Sequence, residues 1–127
     1  MAVTTDLKLS RLQKVTDRLR LFDNELPAQV MSVLFYIAAH NGCRTTEMPK
    51  ALNLAQSSIS RCTDWLSDYH RLGKPGMGLI RKVVDSEDKR SRRVYLTYKG
   101  ECVIEDIKDI VWGSDQSTNQ PTIEDND

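Results

Sequence analysis

Apolar side chains recur along the chain with two different periods, and the change of period divides it into elements. Between residues 7 and 22, Leu7, Leu12, Val15, Leu19 and Phe22 stand three to five positions apart, with Lys8, Arg11, Lys14, Arg18 and Arg20 among them. That spacing predicts an amphipathic helix. Asp23-Asn24-Glu25 breaks it, and Pro27 suits an early position of the next helix, about 27 to 40. Val30, Met31, Val33, Leu34, Tyr36, Ile37 and Ala38 make this second helix apolar enough to run through the core. Asn41-Gly42 ends it, Gly42 being able to take the left-handed conformation of a C-terminal cap. Thr45 or Thr46 can cap a short helix containing Glu47, Met48, Ala51 and Leu52, with Pro49 in its first turn. After a turn at Asn53-Leu54, a longer helix starts at Gln56; Ile59, Cys62, Trp65, Leu66 and Tyr69 form one face and Gln56, Ser57, Ser60, Arg61 and Asp64 the other.

Gly73-Lys-Pro-Gly-Met-Gly78 cannot continue a helix and predicts a loop. Beyond it the pattern is that of strands: Leu79, Ile80, Val83 and Val84, a charged turn at Asp85 to Ser91, and a return strand with Arg93, Val94, Tyr95 and Leu96. Thr97 followed by Glu101 is close to a helix-start signal, Val103, Ile104, Ile107, Ile110 and Val111 stripe a last helix, and Gly113 closes it. Two short helices joined by a tight turn, the second polar at its start, match a helix-turn-helix, and a hairpin directly after them supplies a wing. The expected fold is mainly α with a small β-hairpin, a winged helix-turn-helix over residues 1–112, followed by a disordered acidic tail at 113–127.

Composition narrows the class. The chain has 127 residues, 39% apolar and 28% charged, the balance of one soluble globular domain. Residues 1–22 alternate charge with leucine and lack the apolar core of a signal peptide. The longest apolar stretch, Val33 to Ala39, is too short to cross a bilayer. A cytoplasmic protein with no membrane partner is expected, associated with the nucleoid when bound there. Cys43, Cys62 and Cys102 have no metal-ligand spacing and read as structural thiols, Cys62 alone being placed where a redox signal could be felt.

Formal net charge is zero, but it is unevenly spread. Asp115, Glu124, Asp125 and Asp127 fall in residues 113–127 with no Lys or Arg, so the first 112 residues carry 18 basic against 14 acidic side chains, a net of +4. Local charge of that sign suits a phosphate backbone. The helix from Gln56 can present its first turns to base edges in a major groove about 12 Å wide. Gln56 can pair with adenine, Ser57, Ser58 and Ser60 can bond bases or phosphates, and Arg61 reaches guanine or backbone oxygens. Six basic residues, Arg81, Lys82, Lys89, Arg90, Arg92 and Arg93, occupy the hairpin. Its tip at Lys89 and Arg90 can follow phosphates or enter a minor groove. Asp85 or Asp88 can hold an arginine in place by a charge-assisted bond.

Asp85-Ser-Glu-Asp88-Lys-Arg90-Ser-Arg-Arg-Val94-Tyr-Leu96-Thr97-Tyr-Lys-Gly100 resembles the wing of the MarR-type winged-helix regulators, in which spaced aspartates and an arginine precede a strand and then Leu-Thr-x-x-Gly. Asn53 to Arg61 is similar to the start of their recognition helix, and Gly78-Leu79-Ile80 to the start of their wing. The resemblance covers about residues 28 to 108. It implies a homodimeric repressor on a palindromic duplex, with Gln56, Ser57, Ser58, Ser60 and Arg61 in the major groove and Arg90 on the wing. The chain departs from the family in two places: the interval from Leu66 to Gly78 is long, so an insertion near 69–77 lengthens the recognition helix or adds a loop, and a single helix follows the wing. The resemblance leaves a small-molecule effector open.

Catalysis finds no constellation. His40 and His70 lack a cysteine or acid at metal-ligand spacing, and the glycines fit neither a P-loop nor a dinucleotide fingerprint, so no metal, cofactor or enzymatic activity is expected. The alternatives to a regulator are a winged-helix module that binds another protein, for which an exposed Trp65 or Tyr69 would be the sign, and an accessory of DNA replication or recombination.

Overall fold

The computed structural model describes residues 4–68, 73 and 75–113, and they divide between two compact units. One spans Glu25–Val103; the other joins the two ends of the chain, with residues 4–24 and 104–113 described. The acidic tail from residue 114, the insertion residues Tyr69 to Leu72 and Lys74, and with them His70, lie outside the described residues.

In the terminal unit, α1 (Leu7–Arg20) begins at Asp6, whose carboxylate accepts from the backbone N–H of Lys8 at 3.0 Å and of Leu9 at 3.2 Å. Those two donors have no partner inside the helix, so Asp6 satisfies them and adds negative charge at the positive end of the helix dipole. Arg18 and Arg20 complement the other end. Of the predicted apolar stripe only Val15 and Leu19 are buried; Phe22 is half-buried, and Leu7 and Leu12 stay exposed, as does the neighbouring Leu9. Arg18 pairs with Asp106 at 3.1 Å and lies 5.5 Å over the ring of Phe22.

The larger unit is built on α2 (Ala28–Ala39), preceded by Pro27 in an extended conformation at the N-cap, the position where its missing N–H costs nothing. Val30, Val33, Leu34 and Ile37 are buried, and α2 packs on α3 (Met48–Leu52) and α4 (Gln56–Leu66). Met48, Ile59, Cys62, Leu66, Leu79, Ile80 and Val94 complete this core. α2 ends at His40, not at Gly42. Gly42, at φ +90°, instead turns the chain into a strand the periodicity did not reveal, β1 (Cys43–Arg44). Two residues are too few to alternate visibly.

The strands β2 (Ile80–Val84) and β3 (Arg92–Leu96) form the predicted hairpin, and β1 adds to the outer edge of β3, giving an antiparallel order β1-β3-β2. This third strand explains why neither threonine caps α3. Thr45 Oγ1 accepts from the Arg92 N–H at 3.1 Å and Thr46 Oγ1 meets Ser91 Oγ at 3.1 Å, so both tie the loop to the wing while Glu47 occupies the N-cap. Pro49 sits in the first turn as expected, and Asn53 ends α3 at φ 54°, a left-handed position that asparagine tolerates.

Helix α4 ends at Leu66, so among the described residues the interval before the wing does not lengthen it. The chain returns onto its last turn: the N–H groups of Met77, Gly78 and Leu79 donate to the carbonyls of Trp65, Ser67 and Leu66 at 2.9, 2.9 and 2.8 Å. Three consecutive bonds to one helix end fix the start of the wing regardless of what intervenes. The Leu-Thr-x-x-Gly segment then closes the hairpin. Thr97 Oγ1 donates to the Gly78 carbonyl at 2.7 Å and accepts from the Gly100 N–H at 3.0 Å, capping α5 (Tyr98–Trp112). Gly113, at φ +78°, ends α5 as the sequence predicts. Thr97→Ala is expected to cost about 1 kcal/mol of stability through the lost cap, read as a shift of the urea midpoint at constant m-value; an unchanged midpoint would remove Thr97 from this role.

Candidate nucleic-acid interface

The polar face of α4 and one face of the hairpin form the two walls of a groove. On α4, Gln56, Ser57 and Arg61 are exposed and Ser58 and Ser60 half-buried. Arg61 Nη2 donates to Ser58 Oγ at 3.2 Å, which ties the guanidinium to its own helix. The helix starts at Gln56 after Ala55, which offers no side-chain cap, so no capping oxygen offsets the positive end of its dipole.

Strand pairing decides which basic residues face the groove. The register sets Lys82 opposite Val94 and Val84 opposite Arg92, and on the other face Arg81 opposite Tyr95 and Val83 opposite Arg93. Side chains alternate between faces along a strand, so Lys82 and Arg92 share the face that carries the buried Ile80 and Val94 at its base. A depression of about 280 Å³ is lined by Gln56, Ser60 and Thr63 from α4, by Lys82, Arg90 and Arg92 from the wing, and by Thr45. On the opposite face the Arg81 guanidinium lies 4.8 Å over the Tyr95 ring, and Arg93 Nη1 donates to the Gly42 carbonyl at 3.0 Å. Of the six basic wing residues, then, three line the groove, two are engaged behind the hairpin, and Lys89 is exposed at the tip.

The tip is shaped by its aspartates. Asp88 Oδ1 accepts from both the backbone N–H of Arg90, at 3.0 Å, and its Nε, at 3.2 Å, yet the Arg90 side chain remains 90% exposed. That arrangement orients the guanidinium without removing it from solvent. Asp85 is 1% exposed; its Oδ1 accepts from the Glu87 N–H at 3.0 Å and its Oδ2 from Arg44 Nε at 2.5 Å, with Arg93 Nε 3.7 Å away. Arg44 also reaches Glu87 Oε1 at 2.6 Å. The Glu87 backbone donor and the Arg44 guanidinium hold the Asp85 carboxyl below the ordinary aspartate value, and Arg90 does the same to Asp88.

Arg44 is the residue that sequence reading missed. It sits in the two-residue strand, and nothing in the run Arg44-Thr45-Thr46-Glu47 marks it as the partner of an aspartate in the wing. Its neighbourhood is anchored in turn by Glu47, which accepts from the Arg44 N–H at 3.0 Å and from the Tyr36 hydroxyl at 2.7 Å. The Tyr36 phenol is thereby pushed up to about 12 and Glu47 lowered. His40 stacks on Tyr36 with ring centroids 4.2 Å apart.

A depressed folded-state pKa means that the stability Asp85 contributes is fully present above the unfolded value of about 3.9 and is lost as pH falls through the folded value. Asp85→Asn is therefore expected to be less stable than the parent at neutral pH, with the two urea midpoints converging as pH falls through the ordinary aspartate range and below it. Parallel curves would contradict this.

Cys62 and Cys43 are buried, which raises both thiols, Cys43 to about 11. Neither has the exposed, thiolate-rich character of a redox sensor. Among the described residues no group of three or more His, Cys, Asp or Glu side chains could hold a metal ion, and no helix is long and apolar enough to cross a membrane.

No protein-family model matches the chain. Solved structures do resemble it. A MarR transcriptional regulator from Methanosarcina mazei superposes with a TM-score of 0.63 at 20% identity, covering 84% of this chain and 69% of that one. A variant of MepR from S. aureus bound to an oligodeoxyribonucleotide gives 0.65 at 24% identity, covering 85% and 72%. A variant of E. coli MarR in complex with operator DNA gives 0.60 at 20% identity, covering 87% and 70%. The helices, the three-stranded sheet and these likenesses together establish the architecture as the MarR-type winged helix-turn-helix fold.

Proposed function

We propose that the chain binds double-stranded DNA in a sequence-specific manner and acts as a dimeric transcriptional regulator, a repressor in type. The observation that carries this reading is the groove in which the open N-terminal end of α4, with Gln56 and Ser60, faces Arg90 and Arg92 of the wing. Hydrogen-bonding side chains on a helix suited to a major groove supply base reading, while the wing cations supply backbone affinity. Ser57, Ser58 and Arg61 extend the helix contacts and Lys89 those of the wing. The MepR and E. coli MarR structures similar to this chain hold DNA, which supports the reading.

Dimerisation is part of the proposal. In the terminal unit Leu7, Leu9 and Leu12 are 66%, 63% and 59% exposed, and Trp112 63%. Apolar area of that extent suits a second copy, and two copies would present two α4 helices to the halves of a palindrome. A regulator of this kind works in the cytoplasm, on the nucleoid. The alternative of a protein-binding module gains nothing from Trp65, which is half-buried.

Fluorescence anisotropy with labelled duplex and single strand, titrated at several salt concentrations and paired with a mass measurement at micromolar protein, tests the proposal. Expected are preferential duplex binding, an affinity that falls by about 0.9 log unit per phosphate contact per log unit of salt, and the mass of two chains. Salt-independent affinity or no preference for duplex would overturn it.

A further inference from the structure

Lys82 differs from Arg90, whose pairing with Asp88 stays within the exposed tip of the hairpin, in that its ion pair is partly buried and joins the two walls of the groove. Its Nζ lies 2.5 Å from Asp64 Oδ1 and 3.2 Å from Thr63 Oγ1, and the two charged side chains are only 25% and 20% exposed. Thr63 is itself buried and its hydroxyl donates to the Ile59 carbonyl at 2.9 Å, so its oxygen is left to accept from Lys82. A single arrangement thus satisfies the hydroxyl, the ammonium and the carboxylate together.

The two ends of this link belong to the two walls. Asp64 and Thr63 lie on α4 beyond Ser60 and Arg61, and Lys82 lies in the middle of β2, opposite the buried Val94. The covalent path between them includes the long interval after Leu66. The backbone bonds of residues 77–79 fix the base of the wing on α4, and the N–H groups of Gly42 and Thr45 hold β3 through the Val94 and Arg92 carbonyls; the Lys82–Asp64 pair ties β2 to α4 farther along the strand. A partly buried ion pair adds little net stability against an apolar replacement, because desolvation offsets the attraction; its attested use is to fix one arrangement over others.

We infer that Lys82 and Asp64 form a strut that sets the position of the wing relative to α4, and that Lys82 is a positioning residue for duplex recognition rather than a phosphate contact. The inference rests on the DNA-binding reading above. It reassigns Lys82 from the set of backbone contacts suggested by composition, and it adds Asp64, an acidic residue that charge counting would treat as an obstacle to DNA. With the strut in place, the helix and wing engage the duplex at one fixed spacing. Without it, either wall still attracts DNA, but both fit the same site less often.

The near-isosteric variants Lys82→Met and Asp64→Asn, and the double variant, are to be compared with the parent on the preferred duplex and on an unrelated duplex, across salt concentrations, with thermal melts as a control of folding. Each single variant is expected to lower the preference for the selected site over the unrelated one by about tenfold, and the double variant by no more than either alone, as for two residues acting as a unit. The slope of log affinity against log salt stays that of the parent. The inference is overturned if Lys82→Met lowers that slope by about 0.9, the signature of a lost phosphate contact. It is equally overturned if Asp64→Asn leaves the preference unchanged or raises affinity for all duplexes. A parent that binds no duplex would instead remove the DNA-binding reading, and the strut's role with it. Should one single variant fail to melt cooperatively, the exchanged pair Asp64→Lys with Lys82→Glu provides the reading, recovery of the preference supporting the strut and its absence counting against it.

Discussion

Gly100→Ala is expected to destabilise the protein by about 3 kcal/mol or more, at the upper end of what overpacking produces. In most helices the same change would stabilise, since alanine exceeds glycine in helix propensity by about 1 kcal/mol. Here the sign reverses for a local reason. A Cβ at position 100 would stand 2.0 Å from the Leu79 carbonyl oxygen, 3.0 Å from its carbon and 3.3 Å from its Cα, all backbone atoms. Leu79 cannot step aside. Its N–H donates to Leu66 at the end of α4, and its carbonyl accepts from Thr97 at the start of α5, so displacing it breaks the junction of helix, wing and terminal helix. Denaturant unfolding at constant m-value reads the effect. A neutral or stabilising alanine would show that α5 does not approach the wing strand this closely.

The same junction shows what a sequence can disclose. Leu96-Thr97 and Gly100 were legible as a resemblance, but the reason for each residue needs the fold: the threonine caps and bonds across to Gly78, and the glycine allows contact with Leu79. The long helices α1, α2, α4 and α5 and the hairpin were legible because their apolar periods extend over enough residues to repeat. β1 was not, because Cys43 and Arg44 pair only with a strand fifty residues away and carry no period of their own. Without β1, Thr45 or Thr46 reads as a helix cap although both bond the wing, and nothing marks Arg44 as the residue that holds Asp85. Composition counts six wing cations alike, whereas strand alternation separates Arg81 and Arg93, behind the hairpin, from Lys82 and Arg92 in the groove, and the turn brings Arg90 to the same groove.

Replacing Arg90 and Arg92 together by alanine is accordingly expected to give the largest loss of function. A charge-assisted hydrogen bond contributes about 1.5–3 kcal/mol, so loss of both contacts lowers duplex affinity by about a hundredfold or more, and the salt slope falls by about 1.8. Stability should change little, because the Arg90 side chain is 90% exposed and Arg92 is exposed in β3. Arg93→Ala serves as the contrast. Its guanidinium bonds the Gly42 carbonyl and faces Asp85, so its removal should lower the melting temperature while leaving the salt slope intact. If the two substitutions have interchangeable effects, alternation along β3 does not govern which cations meet DNA.

In the proposed function, α4 reads sequence and the wing supplies affinity across one groove. Selection of bound duplexes from a random pool, performed with the parent protein, with Arg90→Ala and with Gln56→Ala, tests it most directly. A two-fold symmetric consensus is expected for the parent, the same consensus at weaker affinity for Arg90→Ala, and an altered base preference for Gln56→Ala. A pool that shows no enrichment with the folded parent, or a consensus that none of the substitutions changes in either strength or sequence, would contradict it.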